Sequence, residues 1–428
     1  MDLNPIELTK NFPPSDYQLW ETQVRRELKG KKGPEDLYPE LEEHLQVAAY
    51  ETENSFQLPE EIRTQAIPPG TVAGLLLPQH PYLQSDFIPQ IEWLHTRGGL
   101  ETLVVACREL PEDETFQLRT LYSGKAPGTS IAMRYTHFDP LAHLLWTGEP
   151  TEDAQGTPAT TPLGLTTALF LGDTAATATE ELALSASNLL DQVQAASPPS
   201  GDAPIVSCWL ATDSHYLLSV AKFRAFRMLW STIAEQQDLP AYTHTPVVSA
   251  LPPLATNAKK AIYSNLVRKS IEAASAVFGG ADEVLMPTFR SHLADNPVFA
   301  ARMSLNLLHL LRHETMAERV NDPFGGSYTL ESITQQLFKA AYQLFTEVRE
   351  AGSTLQWIQN QDYLVDLNSR TQALQKEIQE GEKVVIGQNT FVREDQPADL
   401  TPVERPYYLP APLDERNALQ WYSYGLTD

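Results

Sequence analysis

The sequence predicts an α/β fold: a (β/α)8 TIM-type barrel with an N-terminal arm and an extended C-terminal tail. Three observations carry this. Short β-rich runs alternate with amphipathic helical stretches, a pattern that pairs strands in parallel through crossover helices. Seven such runs are evident and one is unplaced, which favours a closed barrel over an open doubly wound sheet. The chain has 428 residues, enough for a barrel of roughly 250 residues with extensions.

In chain order, residues 1–61 read as an acidic arm. A helix is predicted over Ser15–Gly30, and no strand is evident after it. Its Tyr17, Trp20, Val24 and Leu28 form one apolar stripe, which needs a surface to cover it. Residues 62–360 are the barrel. Strands are predicted at Thr71–Leu77, Thr102–Ala106, Thr129–Arg134, Leu165–Leu171, Ile205–Ala211, His244–Ala250 and Glu283–Met286. Between them helices are predicted at Phe87–Thr96, Ala176–Ala195, His215–Ala234, Asn265–Phe278, Asn296–His313 and Ser332–Gly352. Gly279-Gly280 stops one of these helices, because glycine enters the left-handed conformation of a C-cap at least cost. Asp322 to Tyr328 reads as a tight turn, with Pro323 fixing φ and Gly325-Gly326 permitting positive φ. Residues 148–164 and 197–204 are polar loops. Residues 361–428 turn polar and then proline-rich, a post-barrel segment and surface-wrapping tail.

Composition limits the function classes. At 42% hydrophobic residues the chain can bury a core, which excludes wholesale disorder. Lys and Arg number 31 against 55 Asp and Glu, a net charge of −24, which argues against nucleic acid and anionic membrane surfaces as partners. Cys107 and Cys208 each lie in an apolar run and read as small buried hydrophobes, neither a disulfide framework nor a metal site. No uninterrupted apolar run reaches 18 residues, and the N-terminus does not read as a targeting peptide, so a cytoplasmic chain is predicted.

Five collinear segments carry a family resemblance. One contains Asn265, Arg268, Glu272, Gly279, Gly280, Ala281 and Asp282. A second runs from Asp322 to Glu331, and a third from Lys222 to Trp230 with Arg224 and Arg227 inside it. The others are Phe12 to Gly30 and Lys383 to Asn389. In this order and spacing they resemble the methylmalonyl-CoA mutase family of adenosylcobalamin-dependent isomerases. The resemblance implies a substrate barrel that shields radicals from solvent, and a separate domain for the corrin.

Several family features are not matched. The corrin signature is Asp-x-His-x-x-Gly. Here the sole Asp-x-His is Asp213-Ser214-His215, with Leu218 where glycine would stand. The chain ends 39 residues after Asn389, short of a cobalamin-binding domain, so no such domain and no bound corrin are expected. His95-Thr96-Arg97-Gly98-Gly99 lacks the Pro-Tyr that follows in catalytic members. Thr243-His244-Thr245-Pro246 begins like the strand end that supplies a histidine to the thioester carbonyl, a donor suited to stabilising the radical. His244 is the single catalytic candidate, and a structural histidine is the competing reading. Lys222, Arg224 and Arg227 read as inter-helix or interface ion pairs. Arg302, Arg312 and Arg319 flank Glu314 and Glu318 as surface pairs, and Asp322 and Ser327 shape a turn.

This pattern resembles the small, catalytically silent subunit of a heterodimeric mutase. Its expected partner is the large catalytic subunit, which holds adenosylcobalamin and interconverts methylmalonyl-CoA and succinyl-CoA; alone, the chain is expected to form a homodimer. Two alternatives stand beside it: the catalytic acyl-CoA barrel of a split mutase, and a homodimeric acyl-CoA-binding regulatory barrel. Alternation along the strands sends Trp209 and Ser207 to one face, and Met133 and Ile131 to another. If Trp209 or Met133 points at the barrel axis, the interior is a packed core closed to a coenzyme A chain.

Overall fold

The computed structural model describes residues 16–51 (except 43 and 44), Leu100, and residues 171–392 with breaks at 197–205, 259, 290–296, 316 and 361. Between these it describes the backbones of five strands. The predicted helix Phe87–Thr96 and the two polar loops fall outside the described residues, apart from the strand backbone at Leu163 and Gly164.

Two short strands, β1 (Glu40–Glu42) and β2 (Leu45–Gln46), form an antiparallel hairpin in the arm, where no strand was expected. Strands this short leave too little alternation to read. Among the described residues the main sheet has eight strands: β3 (Val72–Pro78), β4 (Thr102–Arg108), β5 (Phe116–Tyr122), β6 (Ala132–His137), β7 (Leu163–Leu165), β8 (Val206–Ala211), β9 (Val247–Leu251) and β10 (Glu283–Pro287). Their order is β6-β5-β4-β3-β10-β9-β8-β7. Neighbours in space are neighbours in sequence, and the last strand pairs with the first. The ladders from β7 through β8, β9, β10 and β3 to β4 are all parallel.

Strand β5 corrects the expectation of an all-parallel barrel, since it runs antiparallel to both β4 and β6. Only residues 109–115 separate β4 from β5, and 123–131 separate β5 from β6. A parallel crossover needs about a dozen residues or more, so these connections must return as hairpins. No ladder joins β6 to β7 among the described residues. The expected strand Leu165–Leu171 is shifted: β7 occupies Leu163–Leu165, and Leu171 already lies in a helical turn. The result is a mixed α/β architecture, parallel over most of its sheet and covered by helices, compatible with a TIM-type mutase domain.

The helices are α1 (Tyr17–Glu27), α2 (Ala178–Ala195), α3 (Tyr216–Gln236), α4 (Ser264–Gly279), α5 (Pro297–His309), α6 (Tyr328–Glu350), α7 (Thr354–Asn360) and α8 (Tyr363–Glu380). A single π-turn, Leu310–Glu314, ends α5 short of the predicted His313. Helix α3 carries apolar residues all round and is buried accordingly. Its Phe223, Phe226 and Trp230 are the bulkiest side chains of a core shared with α2, α4, α6 and one face of the sheet. That face presents Val206, Cys208, Leu210, Val248, Ala250, Val284 and Met286 to the helices. Alternation therefore turns Ser207, Trp209, Ser249 and Glu283 to the opposite face. There Trp209, Ser249 and Glu283 stand side by side in register, and Ser249 Oγ donates to Glu283 Oε2 at 2.9 Å. Among the described residues no helix is long and apolar enough to cross a membrane.

Candidate functional site at the carboxyl ends of the strands

Parallel sheets with crossover helices take ligands at the carboxyl ends of their strands. Strand β8 ends there at Ala211 and continues through Thr212, Asp213 and Ser214 into α3. Three further pieces close over this end: the N-terminus of α2, the arm hairpin and α8. Together they wall a cavity of about 450 Å3.

Thr177 starts α2 with a capping box. Its hydroxyl accepts from Glu180 N at 3.1 Å, while Glu180 Oε2 accepts from Thr177 N at 2.8 Å. The hairpin then lends Glu42, whose carboxylate accepts from Ala178 N and, at 3.3 Å, from Thr179 N. A carboxylate on a helix N-terminus meets unpaired N–H groups and a favourable dipole. Burial nevertheless pushes the Glu42 carboxyl above its usual range, against the pull of those N–H groups and of Lys222. From α8, Arg370 bonds Glu180 at 2.7 Å and the Ala175 carbonyl at 3.1 Å, holding that helix over the opening.

The floor is a buried ion pair. Lys222 of α3 and Glu181 of α2 lie 2.5 Å apart, and each is almost wholly out of solvent. Glu181 also accepts from Ala211 N, so the pair locks both helices to the end of β8. Pairs of this kind are costly to break, since removing one member strands the other charge.

The shared motif residues form one internal network. Arg224 pairs with Asp322 and, at 2.7 Å, with Glu331. Asp322 adopts a positive φ of 44°, and Glu331 Oε1 accepts from Gly326 N at 2.9 Å, so this arginine pins the Gly-Gly turn to α3. Arg227 reaches Asp282 at 3.0 Å and the Gly280 carbonyl, and Asp282 also accepts from Val248 N at 2.7 Å. Lys269 donates to Glu272 at 2.8 Å, Thr256 Oγ1 at 2.7 Å and the Pro253 carbonyl. Burial pushes the Glu272 carboxyl up, with Lys269 opposing it. Asn265 clamps the Ala258 backbone in both directions, at 2.8 and 3.0 Å. Asn389 closes the turn after α8 by donating to the Ile378 and Lys383 carbonyls. The basic residues of α3 thus make ion pairs within the chain, to helices α2 and α6 and to the turns after α4 and before α6. Arg302 lies instead over the Phe299 ring, 5.9 Å from its centroid.

His244 sits before the amino end of β9, at the opposite edge of the sheet from the cavity, and its Nε2 lies 2.8 Å from the Leu239 carbonyl. At the carboxyl end, Asp213 Oδ1 accepts the His215 backbone N–H at 2.7 Å, an Asx turn that opens α3. Residues 95–99 lie outside the described residues. Sequence reasoning did not find Glu42, Glu181, Thr212 or Arg370. The capping box Thr177–Glu180 was legible in principle; the long-range partners left no local signal.

Comparison with known proteins places this geometry. The family model described as methylmalonyl-CoA mutase matches residues 168–408, more than half of the chain. The mitochondrial methylmalonyl-CoA mutase of Mus musculus is 29% identical over 196 residues, 45% of this chain and 26% of its own length. The methylmalonyl-CoA mutase of Rhizobium meliloti is 28% identical over 209 residues, 46% of this chain and 28% of its own. The 2-hydroxyisobutanoyl-CoA mutase large subunit of Aquincola tertiaricarbonis is 30% identical over 220 residues, 47% of this chain and 38% of its own. The alignments thus span well under half the length of each relative. The family match begins three residues after β7 and takes in every ion pair described for the motif network, so this chain belongs to the methylmalonyl-CoA mutase family.

Proposed function

We propose that this chain is the small, catalytically silent subunit of a heterodimeric adenosylcobalamin-dependent acyl-CoA mutase, and that a larger partner performs the isomerisation. The observation that carries this reading is the fate of the shared motif residues. Lys222, Arg224, Arg227, Arg268 and Glu272 are all committed to partners inside the fold. They preserve the framework on which a mutase barrel is built and offer no charged group to a substrate. His244 supports the same reading, held against a carbonyl at the far edge of the sheet. A closed barrel with Trp209 on its axial face is the fold we infer for the whole domain.

The Asp213–His215 element does not fit a lower cobalt ligand. His215 opens α3, and Leu218, one turn on, is buried in the core. The glycine of the corrin signature is here a buried leucine inside a helix, and no reaction step is assigned to this chain.

A second reading, the catalytic barrel of a split acyl-CoA mutase, draws on the likeness to a chain named as a large subunit of 2-hydroxyisobutanoyl-CoA mutase. Co-expression with a longer homologue carrying Asp-x-His-x-x-Gly separates the two. Silent-subunit status predicts co-purification, turnover by the pair and none by this chain with adenosylcobalamin. Turnover upon adding only an isolated cobalamin-binding domain would favour the split mutase.

A further inference from the structure

We propose that the apolar groove between α4 and the turn after α8 is the docking site for this chain's own C-terminal segment, residues 419–426. The inference stands whichever subunit role holds.

Helix α4 turns Asn265, Lys269, Glu272, Ala273 and Ala276 into the fold. The outward side of such a helix is ordinarily polar. Here Tyr263 at the N-cap, then Val267 and Ile271, follow one another at four-residue steps and so share one stripe. Val384 and Ile386 stand across from Val267 and Ile271, and a groove of about 390 Å3 lies between them. All five side chains are at least 48% exposed. Single exposed apolar residues are ordinary, but a groove walled by them from two elements marks a contact surface.

Place, reach and chemistry select the occupant. Ile386 bridges to Thr390, and Gly387 N donates to the Thr390 carbonyl at 2.7 Å, so the described chain departs beside the groove at Val392. Residues 393–428 follow, outside the described residues. Residues 393–418 can span at most about 90 Å, far more than a groove at the point of departure requires. A tether of this kind keeps its end at a local concentration of about millimolar, so a modest contact suffices to hold it. Residues 419–426 read Leu-Gln-Trp-Tyr-Ser-Tyr-Gly-Leu, rich in aromatic rings and without charge. A Trp or Tyr side chain buries about 150–250 Å2 at such a surface. A second copy fits worse: each chain carries a net charge of −24, which opposes self-association, whereas the uncharged segment meets no repulsion. The segment also lies beyond residue 408, where the family match ends, so the contact belongs to this chain rather than to the shared framework.

The test uses the full chain with paired cysteines: Val267→Cys with Tyr422→Cys, and Val365→Cys with Tyr422→Cys as the control. Val365 is 69% exposed on the first turn of α8, an 18-residue helix whose far end, about 27 Å away, leads to the groove. Under mild oxidation the first pair should close an intramolecular disulfide at least about tenfold faster than the control, with the linked positions identified by mass spectrometry. Equal rates for the two pairs would overturn the proposal, and so would a disulfide joining two chains, which would assign the groove to a second copy. An independent readout is trypsin cleavage after Arg416, which requires the segment to leave the groove. Val267→Asp places a charge on the groove wall and should speed that cleavage about tenfold, while Val365→Asp should leave it within about twofold. Cleavage of Val267→Asp at the wild-type rate would also overturn the proposal.

Discussion

The two buried lysines hold the framework through different sets of partners. Lys269 has a full set of acceptors and reads as framework. Lys222 has one among the described residues, Glu181, and lines a cavity. Losing the latter should still be severe for folding, because Glu181 would be left charged and unpaired. Lys222→Met is expected to cost about 3–5 kcal/mol in urea unfolding, and the double variant Lys222→Met/Glu181→Met to recover a large part of that. A double variant no better than the single one would show that the pair is not what holds α2 to α3. Glu42 gives a pH prediction. Burial raises its folded pKa above the ordinary 4.5, so the folded state holds the proton more tightly than the unfolded chain. By linkage, its contribution to stability is greatest below 4.5 and falls as pH rises through the raised value. Wild type should therefore lose stability relative to Glu42→Gln between about pH 4.5 and neutrality. A difference that stays flat or grows over that window would refute the assignment.

At the scale of elements, the Gly-Gly end of α4 shows what local sequence can specify. Gly280 holds a φ of 86° as the C-cap, a conformation that costs a side-chain-bearing residue about 1 kcal/mol. Gly279 is constrained differently: a Cβ there would sit 2.9 Å from the Val220 carbonyl oxygen and 3.0 Å from Phe223 Cβ. Gly279→Ala should thus cost more, about 1–3 kcal/mol, because α3 and α4 would have to part. Denaturation midpoints for the two alanine variants decide the order. Helices α2 to α6 were legible because their 3.6-residue stripes are bounded by caps and glycines. Helix α8 was missed because it buries a narrow set, Tyr363, Leu367, Thr371 and Ile378, inside a polar segment whose composition reads as tail. Strand β5 was missed although Phe116, Leu118 and Thr120 alternate with the polar Gln117 and Arg119. The expectation of a crossover helix between strands left no place for a hairpin. The cavity was not legible at all, because its walls come from residues 41, 212, 222 and 374, brought together by topology alone.

At the scale of the molecule, the arm divides into two parts with different energetics. The hairpin belongs to the fold. Leu45 is 2% exposed within the main core, Glu42 caps α2, and the side-chain amide of Gln336 on α6 accepts from Gln46 N at 3.3 Å and donates to the Gln46 carbonyl at 3.0 Å. Helix α1 does not belong to it in the same way. None of its residues is buried, and Leu19 is 58% exposed. Its main tertiary contact is an aromatic cluster in which Trp20 stacks on Tyr50 at 5.4 Å, with Tyr17 beside both. An amphipathic helix that leaves its own body uncovered is what a subunit interface would use. Two truncations separate these roles. Removing residues 1–32 should leave the unfolding free energy within about 0.5 kcal/mol, since only surface groups are lost. It should also weaken capture by a longer homologue if α1 docks on a partner. Removing residues 1–48 takes Leu45 and the Glu42 cap as well, and should cost about 3–5 kcal/mol from core and cap together. Equal stability of the two truncations would mean that the hairpin is not part of the folded body. A stable 33–428 chain that binds the homologue as tightly as the full chain would mean that α1 is not an interface.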